Sequence, residues 1–392
     1  MSRPGIRDGA RLDKVSLRPF RALPAAIQGF FVVCHEMSTA CSYTCRVAVL
    51  RWPLTAFTVA IVGIVVCAFT HPAAAQAAAP AELPSAPAHS VGLVADDGAR
   101  VVNQTVVAPR MVDLAITSPA LGSVQTVRLL LPPDWDTRPA SRWPVLYLLH
   151  GCCDDYQSWT RSTDVAQLSA DTDVLVVMPE AGRAGYYSNW LNGPAWETFH
   201  LVEVRQLLER GFRASTRRAI AGLSMGGFGA MSYSTRNPGM FKAAAAYSGR
   251  LDTTYNQESI RQVQDIVSSQ DHVDPDALWG DPVRNADVWA AHNPYDHAGR
   301  LRGTQLYIYA GTGQPGPLDA PGTAADPAER LANEESTRMV ARLGRLGIPV
   351  TAELTDAGTH SWPYWQRALH ASFPMLMRAI GAQTAMATSP PP

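Results

Sequence analysis

The chain has 392 residues, 46% of them hydrophobic and 17% charged, with a formal net charge of −1. This is an ordinary globular composition with enough apolar material for a large core, and the length does not demand more than one domain. Of the 33 Lys+Arg and 34 Asp+Glu, 8 and 3 fall in residues 1–77, so the remainder carries a net charge near −6, the wrong sign for a nucleic-acid partner.

Residues 1–77 read as a leader. Arg46 and Arg51 precede an uncharged run from Leu54 to Phe69, followed by Pro72 and the small-residue stretch Ala73-Ala74-Ala75-Gln76-Ala77. A positive flank, an apolar centre and an A-x-A site make a secretory signal peptide, cut after Ala77. The apolar run falls short of the about 20 residues of a spanning helix, so no stable membrane span is expected after cleavage. The expected location is secreted or cell-envelope associated. Val66 is too bulky for the position before a lipid-carrying Cys67. Residues 1–36 are long for a charged leader segment, and Met37 is the more ordinary start. Residues 78–105 read as an Ala/Pro-rich tether and lead-in, 106–380 as the folded domain, and 381–392 as a disordered tail.

Four of the six cysteines fall in residues 1–77, which leaves the adjacent pair Cys152 and Cys153. Neighbours cannot form a long-range staple. They either close a vicinal disulfide or pack as two small buried residues, and the second reading is the one taken.

Strands are predicted at Val112–Ile116 and Val124–Leu131, joined near Pro119 and Gly122, then at Val145–Leu149 and Val174–Met178. Further strands follow at Arg218–Ala221, Ala243–Tyr247, Leu306–Ala310 and Val350–Leu354, with helices at Trp196–Arg210, Phe228–Arg236 and Ala328–Leu346. Continuous apolar runs separated by helical stretches indicate a mostly parallel central sheet with helices on both faces. Residues 250–300 break the alternation and read as a small insert that shapes a site.

Between the strand at Arg218–Ala221 and the following helix lies Gly222-Leu223-Ser224-Met225-Gly226. A serine on a tight strand-to-helix turn has its hydroxyl pushed clear of the backbone, and flanking glycines permit the close approach. This is the nucleophile elbow of an α/β-hydrolase, and it makes residues 106–380 the catalytic domain of that fold. A serine nucleophile needs a base and an orienting acid, which follow in the order Ser, acid, His. His360, just past the last predicted strand, is the base. The acid belongs after the strand ending at Ala310, where Asp319, Asp326, Glu329, Glu334 and Glu335 are available. Asp319 comes soonest and is chosen. The glutamates read as solvated on the following helix, with Glu334 or Glu335 as substitutes. Two backbone N–H groups, those of Met225 and Cys152, are the expected oxyanion donors. Two Asp/His clusters, around His292 and around His272, lack ligand spacing, so no metal is expected, and no cofactor fingerprint is present.

The segments His150-Gly151 through Asp154–Trp159, Tyr187–Trp190, Trp196–Phe199, Gly222–Gly227, Trp279-Gly280 with Asn293-Pro294, and Gly358–Trp365 resemble the antigen 85 mycolyltransferases and their wider esterase-D-like putative esterase family, over about Met111 to Leu369. The resemblance implies a secreted α/β-hydrolase that forms an acyl-serine on Ser224, with His360 as base, the amides of Cys152 and Met225 as oxyanion donors, and Trp362 at the entrance. The chain departs from the pattern in three places. Gly311-Thr312-Gly313 leads to Pro317 where that family has its Glu, with Asp319 two residues on. The trehalose-holding Asp and Arg are replaced by His150 and Cys153. The family's cysteine pair after the Tyr-Ser-Asp-Trp segment is missing. The implied activity is a secreted serine esterase or acyltransferase on lipid or sugar esters, with a sugar hydroxyl as one acceptor and with His150 and Trp362 against the substrate. The alternatives are a trehalose mycolyltransferase of the antigen 85 type and a non-catalytic wall-associated binding protein on the same fold.

Overall fold

The computed structural model describes residues 90–382. The predicted leader at 1–77, most of the predicted tether and nearly all of the predicted tail, from residue 383, lie outside the described residues.

Nine strands form one sheet in the order β1-β2-β3-β5-β4-β6-β7-β8-β9. The first three, β1 (Arg100–Ala108), β2 (Met111–Ser118) and β3 (Ser123–Leu130), form an antiparallel meander. β3 pairs antiparallel with β5 (Leu175–Pro179), where the parallel part begins. It continues through β4 (Trp143–Leu149), β6 (Ala214–Leu223), β7 (Ala243–Tyr247), β8 (Gln305–Tyr309) and β9 (Thr351–Glu353). The predicted mostly parallel sheet is therefore what the chain forms.

The lead-in is more ordered than its composition suggests. β1 starts at Arg100, inside the stretch read as tether, and pairs along its length with β2. Its Val and Thr residues fit an edge strand, but most of its side chains face solvent, so no apolar period marks it. Likewise β6 starts at Ala214, four residues before the apolar core of the run, because Ser215 and the arginines at its open end carry no hydrophobic signal.

Helices cover both faces. Short α1 (Ser158–Ser162) and α2 (Val165–Leu168) follow β4. α3 (Trp196–Thr198) continues through a π-helical segment at Phe199–Val204 into α4 (Arg205–Gly211). α5 (Met225–Arg236) leaves the end of β6 and is almost entirely buried. The predicted insert holds α6 (Gln257–Asp271) and α7 (Ala286–His292). α8 (Pro327–Arg345) precedes β9, and α9 (Trp362–Ile380) closes the chain. One apolar core fills each side of the sheet: Leu149, Val177, Ile220 and Phe228 on one, Leu148, Val176, Ala221 and Leu369 on the other. Adjacent residues of a strand thus enter opposite cores, which explains the unbroken apolar runs in the sequence.

Candidate active site

The turn after β6 is held open by its own geometry. Ser224 adopts φ 52° and ψ −120°, a left-handed conformation that is costly for a non-glycine residue. Its N–H donates to Tyr247 O at 2.8 Å and its carbonyl accepts from Phe228 N at 3.0 Å, so the strand and the helix fix the residue from both sides. The glycine at 226 is a steric requirement: a Cβ there would lie 2.3 Å from Leu149 O and 2.6 Å from His150 O. No side chain fits between this turn and β4.

Ser224 Oγ lies 2.8 Å from His360 Nε2. The other ring nitrogen, Nδ1, lies 2.7 Å from Glu329 Oε2. Glu329 sits in the first turn of α8, where the helix dipole favours a carboxylate. It is fully buried, and its second oxygen accepts from Ser248 Oγ at 2.8 Å and Gly311 N at 2.6 Å. A buried carboxyl oxygen left without such donors would be costly. Asp326 caps the same helix by accepting from Ala328 and Glu329 N–H, and its second oxygen accepts from His360 N at 3.0 Å. Backbone and ring of His360 are thus both tied to the start of α8. Trp365 packs edge-on against the imidazole at 4.9 Å between centroids, and its Nε1–H donates to Ser248 Oγ at 3.0 Å.

Asp319, the residue chosen from sequence for the acid, is not part of this chain of contacts. It accepts from Gly316 N, Thr359 Oγ1 and Tyr364 OH. Against a desolvation that raises it, those hydrogen bonds hold its carboxyl below the usual range. It braces the loop that carries His360 from behind. The two substitutes lie elsewhere: Glu334 pairs with Arg330 at the surface, while Glu335 is buried against Arg250. Glu329 was among the candidates but was read as solvated; packing of the first turn of α8 against β8 and the loop after β9 buries it.

Gly151, Cys152, Met225, Trp362 and Trp365 line a cavity of about 500 Å³ together with Ser224 and His360. Met225 N–H opens α5, and Cys152 N–H makes no hydrogen bond among the described residues, whereas Cys153 N–H donates to Arg183 O at 2.8 Å. Both amides are therefore free to serve a ligand. Trp362 packs edge-on against Trp159 and Trp365, at 5.4 and 5.3 Å between centroids, and forms part of the cavity wall.

Two further expectations change. Cys152 and Cys153 are joined in a vicinal disulfide rather than packed as free thiols; Cys153 reaches this by a left-handed backbone, φ 70°. His150 is buried and does not line the cavity. Its Nδ1–H donates to Gly151 O at 2.8 Å, its Nε2 accepts from Ala181 N at 3.0 Å, and its carbonyl accepts from Tyr187 OH at 2.8 Å. It shapes the loop that presents Cys152 instead of touching a substrate. Sequence reasoning missed Ser248 and Asp326, which hold Glu329 and His360 in place. A Ser just after the β7 run and an Asp-Pro at a helix start were the available signals.

A family model described as "Putative esterase" matches residues 118–376. Among curated proteins the chain is similar to Esterase Rv1288 of Mycobacterium tuberculosis, 30% identical over 267 residues, covering 64% of this chain and 56% of that protein. It is also similar to the diacylglycerol acyltransferase/mycolyltransferase Ag85B of Mycobacterium leprae, 30% identical over 254 residues, covering 61% of this chain and 77% of that protein. The chain thus spans little more than half the length of the first of these relatives. Among solved structures, Mycobacterium tuberculosis MPT51 (FbpC1) superposes with a TM-score of 0.56 at 24% identity, covering 67% of this chain and 96% of that one. Staphylococcus aureus fluorophosphonate-binding serine hydrolase F does so with 0.54 at 20%, covering 68% and 97%. These likenesses show the α/β-hydrolase fold, and the match over residues 118–376 shows the family: the chain belongs to the putative esterases.

Proposed function

We propose that the protein is a serine esterase or acyltransferase that works on carboxylic esters through an acyl-serine. The observation that carries this reading is the hydrogen-bonded series Ser224–His360–Glu329 at the wall of a mainly apolar cavity. Ser224 Oγ attacks the ester carbonyl while His360 Nε2 takes its proton. Glu329 accepts from His360 Nδ1–H, which fixes the tautomer and balances the imidazolium that forms. The carbonyl oxygen, now anionic, is received by the N–H groups of Met225 and Cys152. His360 then returns the proton to the departing alkoxide, leaving the acyl group on Ser224. Water, or the hydroxyl of a sugar or other acceptor, attacks the acyl-serine in the same way and releases Ser224. The leader-like residues 1–77 support action outside the cytoplasm, and the likeness to a diacylglycerol acyltransferase/mycolyltransferase supports lipid esters as substrates.

The test is hydrolysis of 4-nitrophenyl butanoate together with covalent labelling by a fluorophosphonate. The wild-type protein is expected to do both. Ser224→Ala is expected to lose labelling and to lower turnover by about 10³-fold or more. A variant that keeps near-normal turnover refutes the assignment.

A further inference from the structure

Three polar atoms around the cavity have no hydrogen-bond partner within the described chain, although all are shielded from solvent. They are Arg250 Nη1, the Tyr186 hydroxyl and Gln262 Oε1. All three residues line the cavity that holds Ser224, and among the described residues no other with such an orphaned atom does so. They arrive from separate parts of the fold: Tyr186 from the loop after β5, Arg250 from the turn after β7, Gln262 from α6. Buried polar atoms in a folded protein are nearly always satisfied, so a cluster of exceptions at one cavity points to a ligand.

The chemistry of the three atoms narrows that ligand. Arg250 is already neutralised: its Nε and Nη2 donate to the two oxygens of Glu335, at 3.1 and 2.6 Å. Glu335 is fully buried and also accepts from Ser259 Oγ at 2.7 Å, so the guanidinium is held in one orientation. Asp154, also on the cavity wall, is paired with Arg161. Both carboxylates thus already have an arginine partner, and the wall offers an anionic ligand group no unpaired cation. What remains on offer is a donor at Arg250 Nη1, a donor at Tyr186 and an acceptor at Gln262. Burial pushes the Tyr186 phenol well up, so it keeps its proton. A neutral group that both accepts and donates matches this set, and an alcohol is the simplest. Leu223, Ile266 and Trp362 supply apolar wall for the carbon skeleton between that alcohol and the ester.

We propose that Arg250, Tyr186 and Gln262 form a subsite that receives a hydroxyl carried by the ester substrate, making the preferred substrates hydroxylated esters. The inference rests on the esterase reading above. The hydroxyl can belong to the acyl chain or to the alcohol part, and two substrate pairs separate these sources: 4-nitrophenyl hexanoate against 4-nitrophenyl 6-hydroxyhexanoate, and hexyl acetate against 6-hydroxyhexyl acetate. The readout is the ratio of kcat/KM, hydroxylated over plain, within each pair.

For the wild-type protein the ratio is expected to reach about tenfold in one pair, because orphaned polar groups discriminate against a ligand that leaves them unpaired. Tyr186→Phe and Gln262→Leu, which remove an unpartnered oxygen without breaking any hydrogen bond made through it, are expected to bring that ratio towards one. A wild-type ratio of one or less in both pairs, or a ratio unchanged in both variants, overturns the subsite. If the wild-type protein hydrolyses the plain esters and takes up the fluorophosphonate while both ratios stay at one, the subsite alone falls. If it does neither, the esterase reading falls and the subsite with it.

Discussion

His360 Nδ1 stands 2.7 Å from Oε2 of Glu329, and the carboxylate it meets is wholly enclosed. The enclosure matters as much as the distance. With Ser248 Oγ and Gly311 N–H on its other oxygen, Glu329 has one direction left in which to accept, and that direction is the imidazole.

Glu329→Gln is therefore expected to lower kcat by about 10²- to 10⁴-fold with little change in KM, since the amide can present a donor to Nδ1 and favour the wrong tautomer. Asp319→Asn, which touches only Gly316, Thr359 and Tyr364, is expected to keep kcat within about tenfold and to act mainly on stability. Steady-state kinetics and thermal melts on the two variants side by side decide between them. An inactive Asp319→Asn with an active Glu329→Gln would restore the choice made from sequence.

The structure sets Glu329, not Asp319, beside His360, and that difference shows what a sequence displays and what it hides. The elbow was legible because a Gly-x-Ser-x-Gly turn must sit between a strand and a helix, and both flanks announce themselves. The place of His360 beside Ser224 was legible because its loop follows the last strand. The carboxylate behind it was not, because several carboxylates share one stretch and only packing sorts them. Glu329 and Glu335 lie on the same helix and are both fully buried, yet one meets an imidazole and the other a guanidinium. Apolar periodicity marks the buried face of α8 but cannot say which partner each buried carboxylate will meet. The disulfide was hidden for a related reason: adjacency alone does not decide between a bond and two thiols.

Cys152 and Cys153 close a ring between neighbours, and Cys152, a residue of the cavity wall, carries one of the two amides proposed to receive the oxyanion. A cross-link across so short a loop removes little freedom from the unfolded chain, about 1 kcal/mol in the chain-entropy model. Reduction, or the paired change Cys152→Ala with Cys153→Gly, is therefore expected to move Tm by only a few degrees. It is expected to lower kcat several-fold, because the Cys152 N–H loses its fixed direction. Thiol titration before and after reduction, with melts and kinetics on both forms, tests the two expectations separately. A large fall in Tm with unchanged kcat would make the bond a structural staple only.

The glycine at 226 allows a sharper stability test. A methyl at that position would sit 2.3 Å from Leu149 O, and both are backbone-anchored, so neither can yield by a rotamer change. Gly226→Ala is expected to destabilise the fold by several kcal/mol or to prevent soluble expression. Gly239→Ala tests a different cost. It meets no atom within 4 Å but has φ 84°, so only the backbone penalty applies, and a smaller loss, of about 1 kcal/mol, is expected. Denaturant unfolding of both variants gives the comparison; equal losses would mean that close approach to β4 is not what the elbow glycine provides.

Acid stability follows from a histidine away from the cavity. His200 is fully buried between Tyr233 OH and Glu180 O, at 2.8 Å from each, and burial lowers its pKa to about 3. In the unfolded chain the same ring titrates near 6.5. Between those two values the unfolded state binds a proton that the folded state refuses. The contribution of this residue is thus complete above about pH 6.5 and is lost as pH falls towards 3. His292, lowered to about 4 by burial, acts in the same direction. Stability is expected to fall steadily over this window, by several kcal/mol in total. His200→Gln can keep a donor and an acceptor for the same two partners while removing the titration. Its Tm is expected to be lower at pH 7 but to decline less steeply between pH 6.5 and 4. Melts across that range provide the measurement, and parallel curves for the two proteins would place the acid sensitivity elsewhere.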